Sequence, residues 1–299
     1  MSNYEDPKEA ADKEAIAASA VSLDNYEKMR SSPSQLVVFV SFDIVRSVRI
    51  KQIEVDSWFH LFDIFLNKVP LGFPMERLKS NGDEIIFAQT INDLACIVKI
   101  IEATYERTLQ AHKYFVDPKI NKKHYVKSTI WVAEIGDTPK NFEIYPNGVK
   151  DYIGHNVDEG FRLAGFASAN TVTIDPKIVM LLAKSIEQNS KNQKTKKCLE
   201  NIVFDGYQYL KDIWWIKKEG ADKGIDEDSK QQKYPLFRYY TDASEISSDL
   251  TYIKHPELDF AKKSKHTNDD IIKMLTRTFK RAGVCKEVKN MLQVMKIDW

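Results

Sequence analysis

The sequence predicts an α/β sandwich with a ferredoxin-like βαββαβ core and helices mostly on one face. Three observations point to it. LVVFVSFDI (36–44) is a near-continuous apolar run of β-branched and aromatic residues, which reads as a central strand. LKSNGDEIIFA (78–88) sets the turn dipeptides Asn-Gly and Gly-Asp before a second apolar run, which reads as a hairpin. Helical periodicity fills the intervals between these segments and STIWVAEI (128–135), so the order is strand, helix, strand, strand, helix, strand.

After the first strand, residues 48–66 carry helical spacing through Val48, Ile53, Trp58, Leu61, Phe62 and Phe65. The hairpin turns at Asn81–Gly82, with IIFA as its second strand. TINDLACIVKIIEATYERTLQAHKYF is a long amphipathic helix, capped by Thr90 or Asn92. STIWVAEI is the next strand, GHNVDEGFRLAGFA a short helix, TVTID a strand, and PKIVMLLAKSI a helix with Pro176 at an early position. NSKNQKTKK (189–197) reads as a basic polar loop or hairpin tip, and NIVFDGYQYLKDIWWI as two strands. Residues 268–296 read as two helices broken near Gly283. The expected organisation is a helical extension at 1–35, a main domain at 36–216, a charged connector at 217–234 and a helical extension at 235–299.

The totals narrow the function. The chain has 299 residues, 43% hydrophobic and 11% aromatic, enough for a sizeable core. Lys plus Arg is 44 against 43 for Asp plus Glu, so there is no basic surplus to hold a nucleic acid by its phosphates. No apolar run reaches the roughly 18 residues of a membrane span. The first residues, of mixed charge and alanine-rich, do not read as a secretory signal but as an amphipathic helix that packs on the domain or on a partner. Cys96, Cys198 and Cys285 are widely spaced and odd in number, which fits a reduced, cytoplasmic protein, with Cys96 a core residue of its helix.

Charge is costly inside a core, so Asp43, ending a greasy strand, is expected at the strand's mouth. Asp83 lies in the hairpin turn. If the first strand is central and the hairpin flanks it, the two carboxylates meet at one edge of the sheet. Bare and ~4 Å apart, they would repel by roughly 4 kcal/mol at an effective dielectric near 20. A divalent cation reverses that sign, and all-oxygen ligands favour Mg²⁺ or Mn²⁺. A two-metal site of this kind supports an in-line displacement at phosphate. Taken singly, Asp43 reads as a helix cap and Asp83 as turn chemistry; the pair points to metal. In DYIGHNVDEGFRLAGFA (151–167), Asp158 and Arg162 are four apart and share a helix face, where the plain reading is a surface salt bridge worth little.

Together these segments resemble the class III nucleotidyl cyclase catalytic domain over about residues 36–216. FDIVRS matches that family's Phe-x-Asp-Ile strand end, KSNGD its Lys-x-x-Gly-Asp hairpin, and DYIGHNVDEGFRL its Asp-x-x-Gly…Val-Asn…Arg helix. The resemblance implies a class III cyclase type of ferredoxin-like core and a head-to-tail homodimer with active sites at the interface. Asp43 and Asp83 of one protomer would hold two Mn²⁺ or Mg²⁺ ions, helped by the Ile44 carbonyl. Lys79 and Asp151 of the other would face the base. Arg162 would stabilise the transition state, Asp158 would orient the ribose, and Lys211 would bind the triphosphate. The substrate would be a nucleoside triphosphate, and the product a 3′,5′-cyclic nucleotide read by a separate effector. This sequence departs from the family pattern with Asp at 158 in place of Asn, Asp212 in place of glycine after Lys211, and Arg46 in place of glycine, where it is either a phosphate contact or solvated. The family's other phosphate-binding arginine has no clear match in STIWVAEIG.

Lys79 only donates hydrogen bonds and ionised Asp151 only accepts them. That order suits adenine or cytosine; uracil returns if water or another side chain intervenes. Phe39, Phe42 or Phe87 would shorten the pocket unless they are plain core. The format, a short cyclase flanked by helical extensions, resembles the pyrimidine cyclases of bacterial Pycsar antiphage systems, which implies cyclic CMP or cyclic UMP. An adenylate cyclase stands next. A diguanylate cyclase, whose Gly-Gly-Asp-Glu-Phe hairpin SNGDEIIF resembles, and a degenerate dimerisation or nucleotide-sensing module are the rivals.

Overall fold

The computed structural model describes residues 34–53, 55–114, 116–117, 122–123, 125–136, 141–209, 233–240 and 266–299. The N-terminal helix expected before residue 34, Lys211, and the connector through residue 232 lie outside these. Strand β1 (Gln35–Ile44) is followed by helices α1 (Ser47–Ile53) and α2 (Val55–Lys68), then strands β2 (Glu76–Asn81) and β3 (Glu84–Ile91) and helix α3 (Leu94–Tyr114). The two-residue strands β4 (Val116–Asp117) and β5 (Lys122–Lys123) pair with each other before β6 (Val126–Ile135). A separate hairpin, β7 (Asn141–Ile144) and β8 (Asp151–Gly154), leads into α4 (His155–Ala164). There follow β9 (Val172–Ile174), α5 (Pro176–Gln188), α6 (Gln193–Glu200), β10 (Ile202–Tyr209), β11 (Lys233–Tyr239), α7 (Asn268–Ala282) and α8 (Cys285–Val294).

The main sheet has seven strands in the order β10-β11-β9-β6-β1-β3-β2. Its right half, β6-β1-β3-β2, is antiparallel throughout and reproduces the expected ferredoxin-like arrangement. Strand β9 runs parallel to β6, and β11 inserts between β9 and β10. Residues 235–239, expected in a helical extension, are therefore sheet. KYPLFRY is buried from Tyr234 to Tyr239, with Leu236, Phe237 and Tyr239 almost wholly so, and its aromatic side chains favour the strand.

Alternate residues of β1 face opposite ways. Leu36, Val38, Val40, Phe42 and Ile44 enter the main core, shared with Trp58, Leu61 and Phe65 of α2 and the apolar stripes of α3, α5, α7 and α8. Val37 and Phe39 enter a smaller core with Ile86, Trp131, Tyr152 and Val157, roofed by α4. Phe42 and Phe87 pack edge to face in the main core and are structural. Phe39 belongs to the other face.

Several local expectations change. The helix of residues 48–66 is two helices; its apolar spacing runs across the junction, so periodicity does not reveal the break. The cap of α3 is Asp93, whose Oδ1 accepts the Cys96 amide at 2.7 Å; Thr90 is still in β3. Cys96 is half-buried on that helix, whereas Cys198 is buried. The 189–197 loop is largely α6, capped by Asn192, because Thr195, Cys198 and Leu199 share a buried face. The break near Gly283 is present. Gly283 ends α7 at φ 75°, and Thr267 starts it with a capping box to Asp270.

Candidate active site

Asp43 is the penultimate residue of β1, opposite Glu84 on β3 and Lys127 on β6. It shares the smaller-core face with Val37, Phe39 and Ser41. Asp83 is the second residue of a two-residue turn whose first, Gly82, has φ 62°. The Ile44 amide donates to the Asp83 carbonyl at 3.3 Å, which fastens that turn to the end of β1. Two acids forty residues apart in sequence thus converge at one rim of the sheet.

Their surroundings push them in opposite directions. Burial raises Asp43; Lys127, 2.9 Å away, pulls it back, and the Asp83 charge raises it again, leaving a net upward shift. Burial would also raise Asp83, but hydrogen bonds from Lys51 (2.8 Å) and Ser47 outweigh it and leave that carboxyl below its ordinary value. Beside them Glu84 is raised by burial, against a hydrogen bond from Ser41 and with the Asp43 charge adding to the rise.

The sequence reading missed both lysines. Lys51 stands 4.5 Å above the Trp58 ring and is placed by α1. Lys127 lies one residue ahead of STIWVAEI, and its position becomes visible only once β6 is registered against β1. It also reaches the Ala164 carbonyl at the end of α4, at 3.5 Å.

The donor set at this rim is all oxygen: two carboxylates with the Ile44 backbone beside them. That set fits a hard divalent cation such as Mg²⁺ or Mn²⁺ that keeps waters and phosphate oxygens as its remaining ligands. Among the described residues no cluster of three or more His, Cys, Asp or Glu side chains is arranged for a metal, so Asp43 and Asp83 would have to share it with substrate.

The second pair expected from sequence is joined. Lys79 of β2 reaches both oxygens of Asp151 on β8, at 2.7 and 2.8 Å. Asp151 also accepts the Tyr152 amide at 2.8 Å. Lys79 lies opposite Ile86 and 5.7 Å from the Phe161 ring centre, on the same sheet face as Asp43. Phe39 stacks on Trp131, while Tyr152 meets Phe39 edge-on and Phe161 tilts against Trp131. A polar concavity of about 550 Å³ adjoins, lined by Leu78, Lys150 and Tyr152 among others. A cavity of about 440 Å³ between α5, α6, β10 and the start of α7 contains none of these residues.

Helix α4 lies directly on the sheet because Gly160 has no side chain; a Cβ there would come within 2.2 Å of the Trp131 ring. Asn156, Glu159, Gly160 and Leu163 point inward, whereas Asp158 is exposed and Arg162 half-buried. Among the described residues no ion pair joins Asp158 to Arg162, so the plain salt-bridge reading does not hold. Arg46 is exposed with φ 61°, and its carbonyl accepts the Arg49 and Ile50 amides at the start of α1. A glycine would take that conformation freely.

No protein-family model matches the chain, and no curated protein sequence matches it. Among the solved structures it resembles are guanylyl and adenylyl cyclases. The monomeric guanylyl cyclase domain of the RhoGC fusion protein from the aquatic fungus Blastocladiella emersonii is 9% identical, covering 69% of this chain and 96% of its own, with a TM-score of 0.44. The adenylyl cyclase CyaB from P. aeruginosa is 12% identical over 70% of this chain and 95% of its own, at 0.43. The guanylate cyclase domain of RhGC from Catenaria anguillulae, in complex with GTP, is 10% identical over 70% and 99%, at 0.43. Likeness at this level leaves the function to be read from the site itself.

Proposed function

We propose that the protein is a class III nucleotidyl cyclase that converts a pyrimidine nucleoside triphosphate, CTP before UTP, into its 3′,5′-cyclic monophosphate and pyrophosphate. The observation that carries this reading is the convergence of Asp43 and Asp83 on the sheet face that also presents the Lys79–Asp151 pair. When bound, divalent cations would supply charge to the attacking 3′-oxygen and to the departing pyrophosphate. Asp43, Asp83 and the Ile44 carbonyl would hold them.

The chain's own residues do the rest. Lys79 donates to the acceptor on the base edge and Asp151 accepts from its exocyclic amine, the pattern that cytosine shares with adenine. The aromatic cluster of Phe39, Trp131, Tyr152 and Phe161 is core beneath α4 and does not discriminate; the smaller ring is preferred on the resemblance to pyrimidine cyclases drawn from the sequence. Arg162 neutralises charge on the α-phosphate and Asp158 accepts from the ribose. Lys127 leaves Asp43 and turns to the phosphates with Lys211 and Arg46. The site is completed by a second copy of the chain. Val48, Val55 and Phe59 on α1 and α2, and Tyr145, Val149 and Ile153 around the β7–β8 hairpin, are exposed apolar side chains available to bury there.

The catalytic domain begins near residue 36 and takes in β11, so it reaches beyond residue 216. The product is a second messenger for a separate effector in antiphage defence, made in the cytoplasm. No helix among the described residues is long and apolar enough to cross a membrane. Adenylate cyclase is the runner-up on the same base pattern. One observation favours a non-catalytic module: Lys51 and Lys127 already neutralise the two carboxylates. The deciding experiment incubates the full chain with each of four nucleoside triphosphates and Mn²⁺ and reads products by mass spectrometry. Cyclic CMP or UMP is expected. Cyclic AMP alone would overturn the base assignment, and no cyclic mononucleotide from any substrate would overturn the enzyme.

A further inference from the structure

Where α4, α5 and α8 meet, a group of charged side chains is closed off from water. Lys177, second residue of α5, is 2% exposed and pairs with Glu159 of α4 at 2.6 Å and with Glu287 of α8 at 3.3 Å. Asp175, equally buried, accepts the Lys177 amide at 2.8 Å and the Val132 amide at 3.3 Å. Burial opposes the Lys177 charge, but Glu159, Asp175 and Glu287 outweigh it and hold the ammonium above its ordinary value.

Asn156, in the first turn of α4 and 1% exposed, ties this group to that helix. Its Nδ2 donates to Glu287 and, at 3.5 Å, to Glu159. Its amide donates to Asn141 Oδ1 at 2.9 Å, and its Oδ1 accepts from Asn141 Nδ2 at 2.6 Å. Surface ion pairs do little to fix geometry, but a buried network with partners on several elements is an all-or-none arrangement. Glu287, 131 residues beyond Asn156, brings α8 into this network.

We propose that Glu287 is a positioning residue: with Lys177 it clamps the inner face of α4 and so sets where Asp158 and Arg162 stand on the outer side of the same helix. The two C-terminal helices are then a working part of the site. The catalytic consequence rests on the cyclase reading; the clamp does not.

The test compares the full chain with Glu287→Ala, Glu287→Gln and a packing control, Leu292→Ala, which trims a fully buried α8 side chain outside the network. Hydrogen exchange across 155–164 and steady-state kinetics are read together. Glu287→Ala is expected to speed exchange in α4 by at least about tenfold. It should also lower kcat by about tenfold or more with KM within about threefold, because an interaction expressed in the transition state is lost. Glu287→Gln, which still accepts from Asn156, should recover much of both. Leu292→Ala should leave α4 exchange near the wild type even as thermal stability falls. Unchanged α4 exchange in Glu287→Ala, or the same rise in the control, overturns the clamp. Faster exchange with unchanged kcat overturns the positioning role. If the alanine chain does not fold, Glu287→Asp, one methylene short of Asn156, carries the same expectation. A wild type that makes no cyclic nucleotide sinks the cyclase reading, while the exchange data still decide the clamp.

Discussion

Replacing Asp43 with asparagine separates what this residue does for the fold from what it does for chemistry. Asn keeps the shape and removes the charge. In the folded chain that charge meets Lys127 at 2.9 Å and the nearby Asp83 carboxylate. The two are of opposite sign, the Lys127 attraction is the larger, and the Asp83 repulsion offsets part of it. Burial remains, and it decides the sign: the Asp43 carboxyl is raised, so folding favours its protonated form. Because the side chain is 23% exposed, solvent screening shrinks the net effect. The Asn variant should therefore be as stable as the wild type or up to about 1 kcal/mol more stable. The stability gain should be largest at neutral pH and shrink as pH falls toward the ordinary carboxylate range, where the wild-type Asp43 is protonated as well. Turnover should fall by at least about a thousandfold, roughly 4 kcal/mol of barrier. Thermal melts with Mn²⁺ add a reading independent of turnover. Binding at a hundred times Kd stabilises by about 2.7 kcal/mol, and the variant should lose most of that gain. A variant that is clearly destabilised yet still stabilised by Mn²⁺ like the wild type, or that keeps substantial turnover, would refute the assignment of Asp43 as a cation ligand.

Mixing inactive Asp83→Ala and Arg162→Ala chains should restore part of the activity, since one of the two shared sites would be intact; failure over a range of mixing ratios would count against the interface model. Gly160→Ala gains up to about 1 kcal/mol of helix propensity but drives a Cβ to 2.2 Å from a Trp131 ring boxed in by Phe39 and Phe161, so denaturant melts should show a net loss of about 1–3 kcal/mol. Arg46→Gly relieves a left-handed arginine at φ 61° and should stabilise by about 1 kcal/mol, with a higher KM if Arg46 touches phosphate. Asp175 is pushed up to about 7, chiefly by burial and against the Lys177 charge. Its contribution to stability is present below about pH 4 and lost as pH rises through about 7, with a slope of up to roughly 1.4 kcal/mol per pH unit between. Subtracting the melts of Asp175→Asn from those of the wild type across that range should isolate the slope, and a flat difference would reject it.

The antiparallel half of the sheet was legible because its signals are local. An unbroken apolar run, a turn dipeptide at a chain reversal and the long amphipathic stretch of α3 each read correctly within their own windows, whereas the 48–66 stretch read as helical but hid its break. Strand β11 was not legible in the same way, since KYPLFRY follows a long charged stretch and pairs with strands more than twenty residues away in sequence. The α6 helix hid for the opposite reason: its buried positions are few and lie inside a lysine-rich segment.

The site divides along the same line. Asp43 and Asp83 could be picked out because each is anomalous where it stands, a charge ending a greasy strand and a charge in a turn, whereas Lys79 and Asp151 were reached only through the resemblance of KSNGD and DYIG to cyclase motifs. The structure brings them together as two pairs. Their neighbours carry no such mark. Lys127 is an ordinary lysine until strand register sets it opposite Asp43, and Lys177, Glu159 and Glu287 look like solvated surface charges until three helices close over them. Burying an ion is costly unless every partner arrives, so such a group forms only when the elements that carry it are already docked. Its information lies in the tertiary contacts. The contacts that steady α4 should therefore respond to changes in the distant C-terminal helices as much as to changes beside the proposed chemistry.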